Sequence, residues 1–377
     1  FAGFEQEHGL DFGANTVAYQ AMAASDEEKA VMPNPLKALP HMRQTFLPVL
    51  RTVMADSWQH TQDADALVYH PKVLAGLHIA EKLGVPPFLT LMIPGFFPTS
   101  AFANPLTPNV PGFMNRASHG ATGPAATLPF KGIINDFRTE TLGLRKIGGT
   151  IDETQTRDGQ PVHSFFPISP SVVPKPDDWP AHAHIPGYWF LDARDDWQPP
   201  TDLVAFIEGG DPPVYIGFGS LSGENPEETT RMVLDAIERA GVRAILAKGW
   251  GGLLAGDAGE RTFLIDAAPH AWLFPRMAGV VHHGGAGTTA AGRRAGKPTF
   301  IISYFGDQPF WGKRVTELGV GPQTVKRKHL TTDSLTAALT QMVSDQAMCE
   351  RAEALGEQIR AEDGIGNAIA VIERVAG

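Results

Sequence analysis

Three stretches decide the fold: Ala268-Pro269-His270, then Val280-Val281-His282-His283-Gly284-Gly285-Ala286-Gly287-Thr288-Thr289, then Gly306-Asp307-Gln308-Pro309. The apolar run before His283 predicts a buried strand, the glycines a tight turn, and the residues from Gly287 to Ala295 a helix stopped by Gly296. Pro298 to Ser303 predicts the next strand, with Asp307 in the loop beyond it. His283 and Asp307 are 24 positions apart (307 − 283), one helix and one strand. That spacing brings both to the carboxyl ends of neighbouring strands, where open α/β sheets bind ligands.

The pattern continues on either side. Val214 to Phe218 predicts a buried strand. Asn225, Pro226, Glu227 and Glu228 are an N-cap, a first helical position and a dipole-complementing first turn, and Gly241 ends that helix. Val242 to Leu246 and Thr262 to Ile265 predict strands. Leu335, Ala338, Leu339, Met342 and Val343 recur at i, i+3, i+4, i+7 and i+8, the stripe of one helix face. Strands alternating with helices imply a doubly wound sheet.

In the first half, Ala66 to His70 predicts a strand, Pro71 to Leu83 a helix stopped by Gly84, and Phe88 to Ile93 a second strand. Together they form a βαβ unit and so begin a second parallel sheet. Leu128 to Leu144 predicts a helix. The proline-rich stretch 167–200 carries Trp179, Tyr188, Trp189, Phe190 and Trp197, too many aromatics for a disordered linker. It predicts a last strand of the first domain and then a crossing near Gln198-Pro199-Pro200. The expected division is 1–197 and 198–377, with the last helix packing back on the first domain.

The chain has 377 residues, enough for two cores, and a formal net charge of −10. An acidic chain without a basic stripe is no nucleic-acid binder. The single cysteine, Cys349, cannot form an internal disulfide, which points to a reducing, cytoplasmic compartment. No apolar run is long enough to span a bilayer, although peripheral membrane contact stays open.

Small residues at Gly285, Ala286 and Gly287 let backbone approach a ligand closely, and the helix that follows presents free N–H groups and a positive dipole end. A diphosphate satisfies both, with Thr288 and His283 as added donors. Asp307 and Gln308 pair a carboxylate with an amide, suited to adjacent sugar hydroxyls. Ser220, in the turn after the first strand of this half, can touch the same phosphates. Trp250, between glycines, can stack on a planar base. Phe96, Phe97 and Phe102 cluster after a first-domain strand and can line an apolar pocket. His163, His182 and His184 lack the spacing of a metal set, and no metal or cofactor is called for.

These motifs resemble the GT-B glycosyltransferases of family 1, the UDP-glycosyltransferase superfamily, and within it the sterol and lipid 3-beta-glucosyltransferases. The resemblance rests on Pro213 to Ser220, the His283 segment, Phe305 to Trp311, Trp179 to Asp192 and Asn115 to His119. It implies two Rossmann-like doubly wound domains facing a central cleft, the first holding the acceptor and the second the nucleotide sugar. It implies that His283, the amides of Gly285, Ala286, Gly287 and Thr288, and Ser220 bind the donor diphosphate. Ala268 and His270 would border the nucleoside, Asp307 and Gln308 would hold the sugar, and the apolar pocket of Phe96, Phe97 and Phe102 would be the acceptor pocket. It further implies inverting, metal-independent transfer of glucose from UDP-glucose to a hydroxyl of a lipophilic acceptor such as a sterol. A polyketide or other natural-product aglycone, a dTDP-sugar donor, and a nucleotide-sugar-binding protein without transfer activity are the alternatives. Ala267 stands where plant-type members carry a uracil-stacking Trp, and Ala291 where they carry a ribose-binding Glu. The general base of such enzymes sits in a first-domain loop that nothing in residues 1–377 matches, so no catalytic residue is assigned; that loop is expected ahead of Phe1 in the active protein.

Overall fold

The computed structural model describes residues 9–17, 46–107, 110–121, 124–191, 197–218, 226–247 and 259–377. Among them, the first half runs α1 (Leu47–Gln59), β1 (Leu67–Tyr69), α2 (Gly76–Leu83), β2 (Pro87–Thr90), α3 (Asn115–Ser118), α4 (Lys131–Asp136), β3 (His163–Phe165) and β4 (Ala183–His184). The four strands pair in the order β1-β2-β3-β4, all parallel.

The second half runs α5 (Thr201–Glu208), β5 (Val214–Gly217), α6 (Pro226–Ala240), β6 (Ala244–Ala247), β7 (Thr262–Ile265), α7 (His270–Leu273), β8 (Gly279–His282), α8 (Ala286–Arg294), β9 (Thr299–Ser303), α9 (Gln308–Glu317), β10 (Val325–Lys326), α10 (Thr332–Ser344), α11 (Gln346–Arg360) and α12 (Gly364–Ala376). Its sheet is parallel throughout, in the order β10-β9-β8-β5-β6-β7. The strand order reverses at β5, which pairs with β6 on one side and β8 on the other. In open α/β sheets such a reversal point is where ligands bind, at the carboxyl ends of the strands.

Strands β5, β8 and β9 are buried along their whole length. Helices cover both faces, which is why these segments read as unbroken apolar runs rather than alternating ones. Val214, Ile216, Val281, Phe300 and Ile302 pack on one face with Leu335, Ala338, Leu339 and Met342 of α10. Tyr215, Ile245 and Val280 face Leu273, Phe274 and Met277 on the other. Each such side chain, fully withdrawn from water, contributes roughly 1.5–3 kcal/mol.

Two expectations for the first half are corrected. The helix expected over 71–83 breaks at Leu74, whose φ of 61° separates a single 3-10 turn from α2. The helix expected over 128–144 is a succession of 3-10, α and π turns. Its wide turn carries Arg138, a fully buried side chain whose guanidinium donates to both carboxylate oxygens of Glu81 (2.6 and 3.0 Å) and to His78 Nδ1 (3.1 Å). Satisfying a buried cation takes precedence over regular helix geometry here. The last strand of the first sheet is only Ala183–His184, and its neighbour is the short β3, built on His163, Ser164 and Phe165.

The chain returns to the first sheet at its end. Ala368 of α12 is buried against Phe88 and Phe165, with Trp189, Val371 and Ile372 around it. Trp189 Nε1 donates to Gly364 O (3.1 Å) and Asn367 Nδ2 to Pro186 O (2.9 Å). No helix among the described residues is long and apolar enough to cross a membrane.

Candidate nucleotide-sugar site

His282 ends β8, and its Nδ1 accepts the backbone N–H of Gly284 at 2.9 Å. This bond shapes the turn. Gly284 sits at φ 91°, a conformation open to glycine, and a Cβ there would lie 2.7 Å from Ile301 Cγ2 and 3.2 Å from Gln308 Cβ. The turn is thus pressed directly against the start of α9, so the two motifs spaced 24 positions apart are in contact.

Gly285 caps α8 with extended backbone and no side-chain cap. Its carbonyl accepts from the Thr289 amide (2.9 Å) and hydroxyl (2.8 Å). The amides of Ala286, Gly287 and Thr288 precede the first intrahelical bond and have no carbonyl of their own helix to pair with. Gly287 is exposed, and a Cβ added there would meet nothing within 4 Å. Amides without a partner among the described residues, an open approach and a positive dipole end suit an anion.

His283 follows the strand end and is half-buried. Burial pushes its imidazole below the usual histidine range, and the nearby Asp307 carboxylate pulls it partly back. The ring is therefore mainly neutral at pH 7. Its buried Nδ1 has no hydrogen-bond partner among the described residues, and its Nε2 lies over Gly285, 2.6 Å from where a Cβ would stand. His282, fully buried and pushed well below the ordinary range, shapes the turn rather than facing a ligand.

Asp307 caps α9, and its Oδ2 accepts the indole N–H of Trp311 at 2.7 Å. Gln308 is 6% exposed, and its Oε1 accepts the backbone N–H groups of Tyr304 (2.6 Å) and Phe305 (3.1 Å). The amide oxygen is thus committed to its own loop, leaving the amide nitrogen as the donor.

Ala268 and His270 follow β7 at the same sheet edge. His270 stacks on Phe274 (4.2 Å, 16°) and meets Tyr215 edge-on (6.0 Å), and burial lowers its pKa. Ser220 and Trp250 lie outside the described residues.

The first-half candidates separate. Phe97 is 7% exposed and packed among Phe166, Trp179 and His182, a core position. Phe96 is half-buried against the same core. Phe102 touches His119 and Trp179 on its own side and Phe310 of α9 across the junction (5.7 Å). His163 Nδ1 and His184 Nε2 lie 2.9 Å apart, a hydrogen-bonded pair. A groove of about 1000 Å³ lined by Leu77, Val85, Pro86, Ile147 and Arg157 lies at the entry end of β2, away from the carboxyl ends of the strands. Sequence reasoning missed Trp311, Tyr188 and Arg293. Arg293 of α8, fully buried, donates to Tyr188 Oη (3.3 Å) and Trp311 O (3.3 Å).

Comparisons with known proteins bear on this geometry. Residues 257–368 match the family described as Erythromycin biosynthesis protein CIII-like, C-terminal domain. The sterol 3-beta-glucosyltransferase UGT80A2 of Arabidopsis thaliana is 39% identical over 309 residues, 81% of this chain and 48% of that protein. The sterol 3-beta-glucosyltransferase of Aspergillus clavatus is 39% identical over 346 residues, 88% of this chain and 24% of that protein. The chain therefore spans about half or less of these relatives' length. Among solved structures, the calicheamicin glycosyltransferase CalG4 superposes with a TM-score of 0.65 at 17% identity, covering all of this chain and 88% of that one. Glycosyltransferase VinC, solved in complex with DTDP, gives 0.58 at 19% identity over 86% of this chain and 76% of that one.

Proposed function

We propose that the chain is a GT-B glycosyltransferase of family 1 and carries the donor site and acceptor domain of an enzyme moving glucose from UDP-glucose to a sterol hydroxyl. The observation that carries the reading is the contact between the Gly284 turn and the start of α9 at the switch point of the second sheet. It sets a bare helix N-terminus, a neutral histidine and a carboxylate around one crevice. We place the domain boundary at 197/198, with residues 1–197 taking the acceptor and 198–377 the nucleotide sugar.

In this mechanism the diphosphate rests on the amides of Ala286, Gly287 and Thr288, with a ring N–H of His283 on a phosphate oxygen. Asp307 and the Gln308 amide nitrogen hold the sugar hydroxyls, and Ala268 and His270 border the nucleoside. The acceptor oxygen attacks the anomeric carbon opposite the leaving diphosphate, and its proton passes to a general base. The anomeric C–O bond breaks as the new one forms, inverting the configuration. Charge on the departing diphosphate is met by the helix N-terminus and His283, so a divalent cation is not required. Phe102, where the first domain meets α9, borders an apolar acceptor.

The test uses the full-length protein with UDP-glucose and a sterol panel, in EDTA, read by mass spectrometry. A hexose adduct lost in Asp307→Ala is the expected result. UDP-glucose binding without any adduct would favour a nucleotide-sugar-binding protein, and adducts only on polycyclic phenols would favour the natural-product reading.

A further inference from the structure

The carboxylate assigned to the sugar is not free to turn. Trp311 is 1% exposed, one turn along α9 from Asp307, and its indole N–H donates to Asp307 Oδ2 at 2.7 Å. The carboxylate torsion of a half-buried aspartate would otherwise rotate broadly. With Oδ2 held, Oδ1 is left as the acceptor for a ligand hydroxyl. The residue that carries the indole is itself anchored. The Trp311 carbonyl accepts from the buried Arg293 of α8, and the Phe310 ring packs edge-on against it at 5.0 Å. The anchor thus runs from the helix that seats the diphosphate to the carboxylate that seats the sugar.

We propose that Trp311 is a positioning residue for the donor sugar, acting only through Asp307, and that it sets the affinity for the hexose part of the donor without touching the nucleotide. The inference rests on the donor-site reading above. A hydrogen bond to a charged group is worth enough that losing it changes a dependent equilibrium by about 10-fold or more. A side chain buried this deeply also supports the core, so the test must separate the two roles.

The experiment is calorimetric titration of UDP-glucose and of UDP into the wild-type chain, Trp311→Phe, Asp307→Asn and the double variant. Each is first checked for an intact thermal transition. The expected result is a loss of about 10-fold in UDP-glucose affinity in Trp311→Phe, unchanged UDP affinity, and no further loss from Trp311→Phe in the Asp307→Asn background. If Trp311→Phe does not fold, benzothienylalanine at position 311, which keeps the ring shape and replaces N–H by sulfur, takes its place. Equal losses for UDP and UDP-glucose, full retention of UDP-glucose affinity, or an additive loss in the double variant would each overturn the proposal. Wild-type protein that binds neither ligand overturns the donor-site reading itself. Wild-type protein that binds both, with Asp307→Asn neutral, overturns the sugar assignment and the Trp311 proposal with it, and leaves the diphosphate seat standing.

Discussion

Glu153 is the residue whose ionisation has the clearest consequence for stability. It is 4% exposed and its Oε2 accepts from Tyr69 Oη at 3.1 Å. Burial pushes its carboxyl up from 4.5 to about 7, the Tyr69 bond lowers it, and Asp152 adds to the rise. Between those two values the folded chain keeps a proton that the unfolded chain has released. Stability from this group is therefore present below pH 4.5 and is lost as pH rises to 7. Glu153→Gln keeps an acceptor for Tyr69 and has nothing to ionise. Its gain in unfolding free energy over wild type should be about 2 kcal/mol larger at pH 8 than at pH 5.5. Denaturant melts at the two pH values measure the difference, and equal shifts at both would show that Glu153 is ionised in the fold. His78, buried beside Arg138 and lowered to about 4, contributes the opposite slope below pH 6.5 in both proteins and so cancels from the comparison.

At the scale of the element, α8 carries a prediction of its own. Gly287 lies in its first turn with open space where a side chain would go. An Asp there suits the helix dipole and should stabilise by about 0.3–1 kcal/mol. The same carboxylate would stand where the proposed donor site seats the diphosphate. Gly287→Asp should keep or raise the melting temperature while lowering UDP affinity at least about 10-fold, a loss that like-charge repulsion at contact distance easily supplies. Unchanged UDP affinity would move the phosphates off this helix. The helix and its strand were legible because Val280, Val281 and His282 form a buried run, Gly284 needs a positive φ, and Gly296 ends the helix at φ 67°. The same reasoning drew the first half less well. There the decisive forces are long-range: a buried Arg138 seeking Glu81 opens a π turn, and β3 exists because Phe88 and Phe165 pack across strands at 6.0 Å. Trp311 and Arg293 were illegible for a related reason. Nothing in a local pattern says that an indole N–H will meet a carboxylate one turn away, or that an arginine will be fully buried.

Across the whole molecule, each sheet has clusters of its own, and one further core is shared between them. Phe97, Phe166, Trp179 and Tyr188 share one apolar cluster with Ala290, Ile301, Trp311 and Leu355. Arg314 of α9 donates to the Val172 carbonyl (2.6 and 3.1 Å), and Glu362 accepts from Ser169 (2.6 Å) and Ser171 (3.2 Å). The last helix then lays Ala368 on the first sheet, so a segment following the second sheet completes the packing of the first. A fold joined in this way should unfold as one unit, because neither half can lose its structure without exposing the face the other covers. Ala368→Asp tests this directly. It buries a carboxylate against Phe88 and Phe165, at a cost of roughly 3 kcal/mol or more. In scanning calorimetry the wild type should show one transition, and the variant one transition at lower temperature. Two transitions in the variant, with the upper one unmoved, would mean that the second sheet is stable alone. The joined core would then be a contact between independent domains, free to open and close around the donor.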